Sequence, residues 1–218
     1  PIAITDEWRA FVPFLPIESH LRAMLVDPDA VDEAIEVLAT QDAALARWVH
    51  ACTHLTLSPN VLSGGTKANV VPAAAAGELD VRLLPGQDRS DVLDHLRKVV
   101  GPDVFDDLEI TPVLDDPANT SPTEGPLWDA ISAAAETHVP GVALAPTMTP
   151  VTTDARFFRA RGIPSYGVGL FDDRISLPEM LAMFHGADER VSVASIESTA
   201  RFLADVVGHL APPTSESP

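Results

Sequence analysis

Cysteine is nearly absent: Cys52 is the single one in 218 residues, so no internal disulfide can form. Its setting, WVHACTHL, reads as the end of an apolar helix. That context fits a small buried residue better than a nucleophile. Basic residues are scarce too, 14 Lys and Arg against 32 Asp and Glu, for a net charge of −18. Nucleic acid and anionic membrane surfaces reward clustered cations, so both are excluded as partners. There is no apolar run of about 18 residues that could span a bilayer, and no signal peptide; the expected location is the cytoplasm. Also missing are a G-x-S-x-G elbow, a P-loop, a G-x-G-x-x-G turn and any H-x-x-x-H or H-E-x-x-H pair. The chain starts PIAITDEW without a methionine, as a cut start would.

What is present is an ordinary globular composition, 46% hydrophobic and 21% charged. Residues 1 to 26 carry no readable pattern. Asp27-Pro28-Asp29 predicts a helix start, with Asp27 as N-cap and Val31, Ile35 and Leu38 giving the helical period. A second helix is predicted from Gln41 to Cys52, with Leu45, Trp48 and Val49 on one face. THLTLSPNVL then reads as a strand, SGGTK as a turn, and residues 69–85 as a long strand broken at Pro72. Leu79, Val81 and Leu83 alternate with Glu78, Asp80 and Arg82, which places Arg82 on the polar face beside Asp80. Asp88 caps a helix with Val92, Leu93, Leu96, Val99 and Val100 as its core stripe, stopped by Gly101. DLEITPVL, 107–114, reads as a further strand. Helix–strand–strand–helix–strand would be most of a ferredoxin-like unit.

The Pro-rich connector DDPANTSPTEGP marks a domain boundary. Beyond it the pattern predicts a helix over 126–138, a strand over 144–149, and a short helix ARFFRARG started by Thr152-Thr153-Asp154. A buried strand IPSYGVGL, a loop of about twenty residues carrying His185, and a helix from Val193 to Leu210 capped by Ser192 follow. That last helix would bury Ile196, Ala200, Leu203 and Val207.

Few residues stand out as chemistry. His185 is either a solvated loop histidine or a metal ligand, and a zinc site needs three or four donors. Thr152, Thr153 and Asp154 either start a helix or offer backbone N–H groups to a carboxylate. Arg82 is either a surface ion-pair partner or a bidentate fork for a carboxylate, with Asn69 thirteen residues before it. Asp188 and Glu189 complement the helix that follows.

Three blocks in order change these odds. GGTKANVVPAAAAGELDVRLLPGQD resembles the lid hairpin of M20 zinc peptidases and amidohydrolases, TTDARFFRARGIPSYGVG resembles a segment near that family's C-terminus, and FHGADERVSV resembles its final block. The resemblance covers roughly residues 25–210 and is nearest the carboxypeptidase-S-like and desuccinylase-like branches. It implies an α/β fold with an α+β lid. Residues 1–117 would be a ferredoxin-like lid and dimerisation domain lacking its first strand, 118–210 the C-terminal part of the α/β catalytic domain, and 211–218 a disordered tail.

The resemblance also implies roles. His185 would ligate one of two zinc ions. Asn69, Arg82, Thr153 and Asp154 would lie at the substrate's carboxylate, Asn69 and Arg82 in some members across a homodimer. Glu189 matches an acid of the block without an assigned role. Val151-Thr152 stands where a double glycine is common. The family's H-x-D motif, bridging aspartate and Glu-Glu pair precede the lid and have no match here, so no catalytic residue is expected in this chain. The implied chemistry is attack of zinc-activated water on the amide bond of a dipeptide or N-acyl amino acid. These 218 residues alone are expected to be inactive; a non-catalytic ferredoxin-like binding or dimerisation module is the competing reading.

Overall fold

The computed structural model describes residues 1–184 and 186–211; His185 and the rest of the tail lie outside the described residues. The N-terminal stretch without a readable pattern folds into helix α1 (Asp6–Phe11), a 3-10 turn at Val12–Phe14 and helix α2 (Ser19–Met24). Thr5 caps α1 by accepting the Trp8 N–H at 3.2 Å. Trp8 is fully buried, and its indole N–H donates to the Leu25 carbonyl at 2.8 Å, so the large ring is placed without an orphan donor. Asp27 accepts the Asp29 N–H through its carboxylate at 3.0 Å and the Val31 N–H through its carbonyl at 2.9 Å, holding the turn that leads into α3 (Val31–Gln41), whose regular part begins later than the sequence places it.

Asp42 starts α4 (Ala43–Thr53) by accepting the N–H groups of Ala44 and Leu45, both at 3.0 Å. Trp8, Leu21, Leu25, Val31, Leu38 and Val49 form one core across these four helices. Cys52 sits in it with no exposure, and burial pushes its thiol far above the usual range, which removes it as a nucleophile.

Strands β1 (Thr56–Gly64) and β2 (Ala75–Arg82) pair antiparallel from Thr56 opposite Arg82 to Gly64 opposite Ala75. The register shifts between Pro59 and Val61, where proline has no N–H to give the ladder. β2 begins after Pro72, three residues beyond the break in the pattern. Asp88 and Asp91 form a reciprocal capping box at α5 (Arg89–Val100), and Gly101, at φ 87°, ends it before α6 (Pro102–Asp106). The predicted core stripe of α5 is half-buried at Val92, Leu93, Leu96 and Val100, while Val99 is 67% exposed.

Residues 107–114 are not a strand. Among the described residues no segment pairs with them, and Val113 is 97% exposed, so neither hydrogen bonding nor burial draws the segment into a ladder.

Helix α7 (Pro126–His138) packs on α10 (Val193–Leu210) through Ala130, Ile131, Ala134, Ala135, Phe202 and Val206. The alanines let the two axes approach closely. The inner face of α10 is not the predicted one. Ile196 and Val207 are 56% and 62% exposed, whereas Ser195, Phe202 and Val206 are buried. Two hydroxyls make this possible, because Ser195 Oγ accepts the Asp172 N–H at 2.8 Å and Thr199 Oγ1 accepts the Leu170 N–H at 3.0 Å.

The predicted strands 144–149 and 163–170 form no ladder either. The first contributes Met148 to the core of the four N-terminal helices, and the second spends its backbone groups on Thr199 and Ser121. Helices α8 (Ala155–Arg159) and α9 (Leu177–Met183) complete the chain, and α9 packs on α4. The architecture is mixed helix and strand with a two-stranded sheet. No helix of the described residues is long and apolar enough to cross a membrane.

Candidate functional site

Arg82 ends β2, at the foot of the hairpin, where alternation turns it to the same face as Asp80. Its Nε and one terminal nitrogen both donate to Asp80 Oδ2, at 3.1 and 2.7 Å. The other terminal nitrogen donates to the Thr152 hydroxyl at 2.6 Å, seventy residues away. A guanidinium has five N–H donors. Among the described residues these three contacts leave one N–H on each terminal nitrogen without a protein partner, as donors for an anion. The Arg82 and Asp80 side chains are 37% and 42% exposed, so their ion pair contributes little to stability, at most about 1 kcal/mol. Its consequence is the orientation of the fork.

Thr152 lies in the exposed loop before α8, together with Thr153 and Asp154. The Thr153 carbonyl accepts the Arg156 N–H at 3.1 Å, so this residue opens the helix through its backbone. Asp154 is the N-cap, but its side chain makes no capping bond. The loop is held from behind. Arg156 Nε lies 2.9 Å from Asp116 Oδ2, off the line of a proper hydrogen bond, and its guanidinium sits 4.3 Å over the Phe157 ring. Arg159 donates to Asn119 Oδ1 at 2.7 Å and to the Ser165 carbonyl at 3.0 Å. Thus the polar connector 115–126, read in the sequence as a boundary, ties down the loop that meets Arg82. Val151-Thr152, the departure from the double-glycine pattern, is where Arg82 lands. The sequence offers Thr152 as a helix start or as a backbone donor to a carboxylate, but not as a partner of Arg82, because nothing local signals a contact seventy residues distant.

Asn69 is not beside Arg82. It lies exposed in the turn that follows β1, closed by the Val70 N–H on the Lys67 carbonyl at 3.2 Å. Seven residues of β2 separate that end of the hairpin from Arg82, about 23 Å of strand. His185 lies outside the described residues, but its neighbours are defined. Gly186 donates to the Met183 carbonyl at 3.0 Å, and a Cβ there would stand 3.2 Å from the Ala182 carbonyl oxygen, a close approach that favours glycine. Asp188 takes φ 63°, and Arg190 donates back to its carbonyl at 3.1 Å. Glu189 is exposed.

Among the described residues no three His, Cys, Asp or Glu side chains come together as a metal-binding group. The described donors therefore do not fit a zinc centre by themselves. Among the described residues the arrangement offers an arginine held at two points, with N–H donors left over for an anion.

Comparison with known proteins places the chain. The description of peptidase family M20/M25/M40 matches residues 21–209. The chain is 25% identical over 152 residues to probable carboxypeptidase S-like 2 of Dictyostelium discoideum, spanning 70% of this chain and 28% of that protein. It is 25% identical over 167 residues to the human N-fatty-acyl-amino acid synthase/hydrolase PM20D1, spanning 72% of this chain and 31% of that protein. The crystal structure of the M20 family metallo-carboxypeptidase Sso-CP2 from Sulfolobus solfataricus superposes with a TM-score of 0.54 at 18% identity, covering 95% of this chain and 45% of that one. The chain thus spans about a third or less of these curated relatives, and that structure shares its fold. With the match running over nearly its whole length, the chain belongs to peptidase family M20/M25/M40.

Proposed function

We propose that the chain is part of a zinc-dependent hydrolase that cleaves the amide bond of a dipeptide or N-acyl amino acid, with Arg82 gripping the substrate's carboxylate. One observation carries this reading: a guanidinium fixed by Asp80 and Thr152 with one N–H unused on each terminal nitrogen. Family membership supports the reaction class. The relatives' names support the substrate, since a carboxypeptidase and an N-fatty-acyl-amino acid hydrolase both act on molecules ending in a free carboxylate.

In this proposal Thr153 and Asp154 line the carboxylate's other side. Asn69, too far along the hairpin to join them in its own chain, reaches the site of a second copy in a homodimer. His185 ligates one of two zinc ions, whose bound water supplies the nucleophile. Residues 1–117 form a lid of ferredoxin-like topology, and 118–210 belong to the catalytic domain. These 218 residues do not turn over substrate alone, because the described donors cannot hold the metal pair; zinc-dependent turnover by this chain would overturn that part.

The experiment is Arg82→Ala in the full-length protein. The lost charge-assisted bond is worth about 1.5–3 kcal/mol, a rise in KM of roughly tenfold to a hundredfold for N-acyl amino acids, with none for the matching carboxamides. A KM unchanged by the substitution would sink the role given to Arg82.

A further inference from the structure

We infer that Thr152 is a positioning residue for substrate binding: its hydroxyl seats Arg82 and joins the foot of the hairpin to the loop before α8. The inference rests on the reading of Arg82 as the carboxylate fork.

Asp80 alone cannot fix that fork. Both of its contacts with Arg82 converge on a single oxygen, Oδ2, on one edge of the guanidinium. A planar group held at one edge can still swing about that oxygen. The Thr152 hydroxyl accepts a hydrogen bond from the nitrogen that Asp80 does not touch, at 2.6 Å. Two anchors at separate points fix the plane, and the remaining N–H groups, one per terminal nitrogen, are then aimed before any ligand arrives. Holding a binding group in its bound geometry beforehand removes ordering cost from association.

The two anchors also differ in origin. Asp80 lies two residues from Arg82 on the same strand, so their contact travels with the hairpin. Thr152 lies on the second section, in the loop braced by Arg156 against Asp116 and by Arg159 against Asn119. The hydroxyl therefore sets where the hairpin foot stands relative to that loop. Thr152 is exposed, fills no core position and caps no helix with its side chain, so neither packing nor capping accounts for the contact.

The test uses Thr152→Val, Thr152→Ser and Thr152→Ala in the full-length protein, assayed on an N-acyl amino acid and on its carboxamide. Valine keeps the shape and loses the acceptor. Thr152→Val and Thr152→Ala are expected to raise KM for the carboxylate substrate about fivefold, within the net range of one ordinary hydrogen bond because the effect on substrate is indirect, with kcat held and the carboxamide unaffected. Thr152→Ser keeps the hydroxyl and restores the wild-type KM. In an Arg82→Ala background Thr152→Val adds less than twofold, because its effect runs through that arginine. If Arg82→Ala raises KM while Thr152→Val and Thr152→Ala do not, the positioning role falls and the Arg82 reading stands. A Thr152 effect that persists in the Arg82→Ala background, or that serine fails to rescue, also overturns it. If Arg82→Ala itself changes nothing, both fall together.

Discussion

His54 shows how a single side chain can tie stability to pH. It ends α4 at 9% exposure, with Nε2 3.0 Å from Asp32 Oδ1, Nδ1 2.9 Å from Thr53 Oγ1, and its ring stacked 4.2 Å from that of His50. Burial lowers its pKa, and the neighbouring His50 lowers it further; Asp32 pulls the other way without winning. A histidine with a lowered folded-state pKa stays neutral in the fold when the unfolded chain already binds a proton. Stability is therefore full above the unfolded value, near 6.5, and falls as the pH drops from there toward the folded value. We expect the melting temperature to decline between pH 7.5 and pH 5.5 and the decline to be shallower in His54→Gln. Parallel pH profiles for the two proteins would show that His54 is not the coupled group.

Residues read well when their partners were local: Asp80 sits two places from Arg82, and Cys52 carries its apolar helix with it. The contact of Thr152 with Arg82 was illegible because it closes over seventy residues.

At the scale of elements, α10 separates hydropathy from burial. The sequence ranks Val207 as core. The fold leaves Val207 exposed and half-buries Thr199 instead. Thr199 Oγ1 accepts the Leu170 N–H and donates to the Leu170 carbonyl, both at 3.0 Å, satisfying a backbone that has no strand neighbour. A Cβ on Gly169 would stand 3.2 Å from that hydroxyl oxygen, so glycine lets the segment come this close. Thr199→Val should cost about 1–3 kcal/mol, the penalty of leaving buried polar groups unpaired. Val207→Thr, at 62% exposure, should stay within about 0.5 kcal/mol. Urea unfolding of the two variants measures both; equal losses would mean that the helix turns the other face inward.

The same distinction explains which elements were legible. Helices that carry their own caps, Asp42 before α4, Asp88 before α5 and Ser192 before α10, start where the sequence places them to within two residues. The strands at 107–114, 144–149 and 163–170 do not form, because a helix closes its hydrogen bonds within itself while a strand needs a second segment in register.

For the whole molecule the open question is what the hairpin rests against. Two strands alone are marginal in water, and among the described residues no further strand pairs with either outer edge of this sheet. Leu62 and Val71, at the end of the hairpin away from Arg82, are 77% and 92% exposed. A second copy, as in the proposed homodimer, would cover them and bring Asn69 with it. At a net charge of −18 two copies repel one another, so salt should favour association by screening that repulsion. Sedimentation across micromolar concentrations should show a dimer that strengthens from 50 to 300 mM salt. Leu62→Lys with Val71→Lys should weaken it at least tenfold, since two apolar side chains lose their cover. The same pair should leave the melting of the N-terminal helices unchanged, because their core includes neither residue. A chain that remains monomeric at every concentration and salt would remove the homodimer, and with it the route by which Asn69 reaches a carboxylate site.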